Sequence, residues 1–81
     1  MTSKTLAYEV APNVFAVRNP QRSRGWVLVL SWNGEWFSID SRFGGDSCGK
    51  DMNRAIENSA RWGTTFASLA AAAAAAASVK I

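Results

Sequence analysis

The residues that could do chemistry in this chain are few, and their spacing excludes more than it offers. Cys48 is the single cysteine among 81 residues, and there is no histidine. A nucleophilic serine or thiol needs a base to take its proton, and the base most often used is missing. Cys48 lies in the glycine-flanked stretch Gly44-Gly45-Asp46-Ser47-Cys48-Gly49, just ahead of a helix start, where reactive thiols are sometimes found. With no histidine partner it reads as a small non-functional residue. Asp40, Asp46 and Asp51 are too scattered to specify a metal, and a carboxylate pair for glycoside hydrolysis needs a sugar cleft that so short a chain scarcely builds. Gly44-Gly45 followed by Lys50 lacks the spacing of a phosphate loop. The expectation is a non-enzymatic protein with no catalytic residue, no metal and no cofactor.

Recognition chemistry is better represented. Four tryptophans are present, and an exposed tryptophan serves as a binding hot spot or a stacking platform for unpaired bases. Trp26 and Trp62 fall on apolar faces and read as core, whereas Trp32 and Trp36 flank a hairpin tip and read as exposed. The formal net charge is +3, and its one local concentration is Arg18, Arg22 and Arg24, with no acid among them. Such a loop could meet phosphate or a carboxylate-rich protein face, or be a solvated turn.

These side chains must be placed by one domain, residues 1–81, because the chain is too short for two cores. One cysteine also rules out an internal disulfide staple. Residues 1–12 read as an arm or a short strand, Leu6 to Val10, ended by Ala11-Pro12. Residues 13–43 read as an antiparallel sheet: a strand from Asn13 to Arg18, a loop over 19–25, a strand from Trp26 to Trp32 and another from Glu35 to about Phe43. Asn33-Gly34 between apolar runs signals a two-residue hairpin, since a type I′ turn needs positive φ at both positions. That turn sets Leu30 opposite Phe37 and Leu28 opposite Ile39 on one face with Trp26. Ser31–Trp36, Val29–Ser38 and Val27–Asp40 fall on the other. Residues 44–49 read as a loop.

A helix is expected over 50–78, with Gly63 ending it, kinking it or marking a close approach. Met52, Ile56, Ser59 or Ala60, and Gly63 give it a stripe for the Leu28–Leu30–Phe37–Ile39 face. From Trp62 to Val79 there is no charge, and Ala70 to Ala77 is unbroken alanine. Alanine is the best helix former and a weak membrane driver, so this tract reads as a helical tail; a membrane span and a frayed end are the alternatives. No apolar signal core follows Met-Thr-Ser-Lys, so secretion is not expected. The fold class is α+β: a three-stranded antiparallel sheet packed on a C-terminal helix, with an alanine-rich tail. The reverse sheet face is then left open, with Trp32, Trp36, Val27 and Val29 as a contact patch rimmed by Arg18, Arg22 and Arg24. A homodimer could use the same patch.

Two resemblances add to this. Residues 13–63 resemble the sheet-plus-helix DNA-binding domains of the AP2 type and the arm-binding domains of phage integrases, in Trp26 ahead of Asn33-Gly34, then Phe43, then a helix with Ala55, Ala60 and Arg61. That resemblance implies the fold, and DNA binding through the open sheet face as the alternative function. The equivalent face here offers Val27, Val29, Ser31, Trp36, Ser38 and Asp40, so only weak nucleic-acid contact is expected. The chain is also similar to small phage anti-CRISPR proteins of the type I systems, in Arg18-Asn19-Pro20, Asn33-Gly34, Gly45-Asp46 and Trp62-Gly63. That resemblance implies a phage-type inhibitor acting in the cytoplasm of a bacterial host cell, bound stoichiometrically to a protein of the CRISPR-Cas defence complex.

Overall fold

The run Trp26-Val27-Leu28-Val29-Leu30 is apolar at every position, the pattern of a strand covered on both sides. It forms β3 (Trp26–Trp32), the middle of a five-stranded antiparallel sheet. The other strands are β1 (Ala7–Ala11), β2 (Val14–Arg18), β4 (Glu35–Ile39) and β5 (Gly44–Ser47), each beside its sequence neighbour. Two helices follow, α1 (Met52–Trp62) and α2 (Leu69–Ala76). This computed structural model describes residues 7–19, 21, 25–39 and 44–79, with backbone alone at 44–46. Arg22, Arg24, Asp40 and Phe43 lie outside the described residues.

The Asn33-Gly34 turn has φ values of 55° and 79°, as a type I′ hairpin requires. It pairs Leu30 with Phe37, Ser31 with Trp36 and Val29 with Ser38, the expected register. The sheet gains two edges over the three-strand expectation. β1 pairs with β2 through a bulge between Glu9 and Ala11. β5 occupies the stretch expected to be a loop. Its glycines carry no β preference, but main-chain bonds hold the edge: the Cys48 N–H donates to the Trp36 carbonyl and the Trp36 N–H to the Gly49 carbonyl, both at 2.7 Å.

The expected assignment of faces is reversed for α1. It lies on the Val27–Val29 side, where Ala55 and Ile56 join Val17, Val27 and Val29 in one buried cluster, flanked by Phe15, Trp36, Met52 and Ala60. The Leu28–Leu30–Ile39 side is covered instead by α2, through Ala72 and Ala76. With both sides of β3 equally apolar, alternation along the strand could not say which helix goes where. Helix α1 starts at Asp51, whose carboxylate accepts from the Asn53 and Arg54 N–H groups, a standard N-cap.

The chain must then pass from one face of the sheet to the other, and Ser59 and Gly63 open the way. Hydrogen-bonded pairs alternate along an antiparallel ladder, so Leu28–Ile39 should follow Leu30–Phe37. Instead the Ile39 N–H donates to the Ser59 hydroxyl at 3.0 Å, and that hydroxyl donates to the Leu28 carbonyl at 2.8 Å. One helix side chain thus replaces a rung between β3 and β4. Beyond it Gly63 ends α1, and a Cβ there would collide with the carbonyl oxygens of Ile39 and Ser59. Residues 63–68 cross at this gap, where Phe66 and Trp26 exchange two backbone hydrogen bonds of 2.8 Å each.

Candidate functional site

The contact patch expected on the reverse face does not exist as an open surface. Val27 and Val29 are fully buried, and Trp36 is half-buried with its ring 5.5 Å from that of Phe15. The physical reason is α1, which lies over these residues. Trp32 is 49% exposed, in keeping with the hairpin-tip reading, but the register puts it on the face of Leu28 and Leu30, away from Trp36. Trp62, expected in the core, is 70% exposed.

Another constellation assembles at the end of the molecule where β2 finishes, β3 begins and α1 terminates. Here Tyr8, Arg18 and Trp26 lie on neighbouring strands on one face. The Arg18 guanidinium lies 5.3 Å from the Trp26 ring centroid, a cation–π contact. The Tyr8 ring meets Trp26 edge-on at 5.8 Å. Tyr8 is 44% exposed, and Arg18 is exposed too. Across the sheet, Arg61 and Trp62 stand exposed in the last turn of α1.

The intervening loop is tied down at its base. The Asn19 N–H donates to the Gly25 carbonyl at 3.1 Å. The Asn19 side chain accepts from the Gln21 N–H and donates to the Thr65 hydroxyl. The sequence reading missed Tyr8, Arg61 and Trp62. Only the position of Trp62, directly before the glycine that ends its helix, could have hinted at its exposure.

Charge is distributed lengthwise. Among the described residues, Arg18 and Arg61 occupy this end. Glu35, Asp51 and Lys50 stand near the Asn33-Gly34 end, and the Glu9 carboxylate reaches the β1–β2 turn to accept from the Asn13 N–H. Arg54 and Glu57 lie between, on the outer side of α1. Cys48 packs at the α1 cluster with its sulfur 3.9 Å from the Asn58 amide nitrogen. No group of acidic, cysteine or histidine residues suited to a metal occurs among the described residues. No helix among them is long and apolar enough to cross a membrane. No family model matches this chain, and neither does any curated protein or solved structure.

Proposed function

We propose that this protein is a non-enzymatic binding protein that blocks another protein stoichiometrically, docking its Trp26 end onto a partner face rich in carboxylates. The observation that carries the reading is Trp62, 70% exposed in the last turn of α1. Tryptophan, tyrosine and arginine dominate the energetics of protein interfaces. Trp62 and Arg61 end α1 on one side of the sheet, and Tyr8 and Arg18 stand exposed on the other. Through the resemblance to phage inhibitors, the partner is a protein subunit of a bacterial type I CRISPR-Cas complex.

The test is co-elution of the protein with purified type I complex on size exclusion, followed by titration calorimetry of Trp62→Ala. Binding in a fixed ratio that weakens about thirtyfold in the variant is expected, the loss typical of a hot-spot residue. No co-elution overturns the partner class, and unchanged affinity overturns the docking end. Insertion of a sheet face into DNA has less support, because α1 and α2 occupy opposite faces. Nucleic acid held at the Trp26 end would declare itself by affinity that collapses with added salt.

A further inference from the structure

We infer that α2 is a detachable lid, hinged after Phe66, over an apolar row on β3. Up to the hinge the crossing segment is bonded to the body. The Gly63 N–H donates to the Ser59 carbonyl at 2.9 Å, the Asn19 amide to the Thr65 hydroxyl at 3.0 Å, and Phe66 pairs with Trp26. Past the hinge the attachment changes in kind. Among the described residues, the hydrogen bonds of 68–79 stay within that segment: Ala71 and Ala72 N–H to Ser68, Ser78 N–H to Ala75, Val79 N–H to Ala76. Ala72 and Ala76 are the buried side chains of α2, with half-buried Leu69 and Val79 packed beside them, so the segment is seated by apolar contact.

An alanine helix is also too thin to cover the face it sits on. Open grooves of about 450 and 560 Å³ run along it, the first lined by Phe66, Ala71 and Ala75, the second by Val10, Val14, Ala76 and Val79. A helix of this length is not stable alone in water, so release and melting of α2 are one event. Opening bares Leu28 and Leu30, which the register aligns with Trp26 and the already exposed Trp32 on one face of β3 beside Val14 and Ala16. This inference is independent of the partner proposed above.

Native-state hydrogen exchange of the full chain tests it. The amides of Ala73–Ala76 are expected to exchange at least a hundredfold faster than those of Val27–Leu30, with the Phe66 amide in the slow group. Ala74→Gly, on the exposed side of α2, should speed the α2 amides about fivefold, the weight of glycine against alanine in a helix, and leave β3 and α1 unmoved. Equal rates in α2 and β3, shifted together by the substitution, would show that α2 leaves only when the whole domain unfolds and would overturn the lid.

Discussion

Ser59 carries the largest structural consequence of any single side chain here. Its hydroxyl is both acceptor for Ile39 and donor to Leu28, and the residue is 1% exposed. Ser59→Ala would strand a buried N–H and a buried carbonyl at once, each costing roughly 1–3 kcal/mol if left unmet. The expected outcome in urea denaturation is a loss of about 2–4 kcal/mol. A loss below about 0.5 kcal/mol would mean that β3 and β4 simply close the rung without it. At this scale the sequence was only partly readable. Ser59 and Gly63 could be placed on the inner stripe of α1, but nothing in helical periodicity says that a serine will stand in for a strand–strand hydrogen bond. Trp62 misled for a related reason: periodicity gives the direction of a side chain around the helix, not whether anything packs over it.

The two helices are held by different physics, and their caps should report it. In α1, Asp51 caps a helix whose Ala55 and Ile56 sit in the core. In α2, Ser68 accepts from the Ala71 N–H at 3.1 Å and caps a helix seated by Ala72, Ala76 and half-buried Leu69. Each cap contributes about 1 kcal/mol. Asp51→Ala is therefore expected to lower global stability by about that amount, read as a shift in the denaturation midpoint. Ser68→Ala should leave the midpoint nearly fixed while loosening α2 locally, visible as faster exchange or earlier proteolysis near Ala70–Ala77.

Legibility of the elements follows the same divide. The hairpin at Asn33-Gly34 was plain because only a few residues tolerate two successive positive φ angles. β5 was invisible because its glycines take part through the main chain, which composition does not reveal. The pairing of helices with faces was undecidable while attention stayed on alternation. The unbroken apolar stretch of β3 was the available sign that both sides needed cover, and the alanine tract was the only segment left to supply it.

For the molecule as a whole, the distribution of charge among the described residues bears on how it would approach a partner. Arg18→Glu combined with Arg61→Glu should slow association with an acidic partner and flatten its salt dependence, with dissociation little changed. Trp62→Ala should do the reverse, because charge steers encounter while desolvated aromatics hold the complex. Surface plasmon resonance at two ionic strengths separates the two, and equal effects on both rates would argue against docking at this end. The grouping of Tyr8, Arg18 and Trp26 was not legible beforehand, since its members come from three strands and meet only through the topology.

That topology has a kinetic side. Every strand pairs with its sequence neighbour, so most of the sheet can zip together through short loop closures before any distant part of the chain is recruited. The Ser59–Leu28 and Asn19–Thr65 bonds, spanning 31 and 46 residues, belong to the slower closure that follows. In a stopped-flow chevron, conservative substitutions such as Val29→Ala or Leu30→Ala should slow refolding, whereas Ala76→Gly should act almost wholly on the unfolding limb. In refolding the meander is accordingly able to organise before α2 docks, and for that interval the Leu28–Leu30 side stands uncovered.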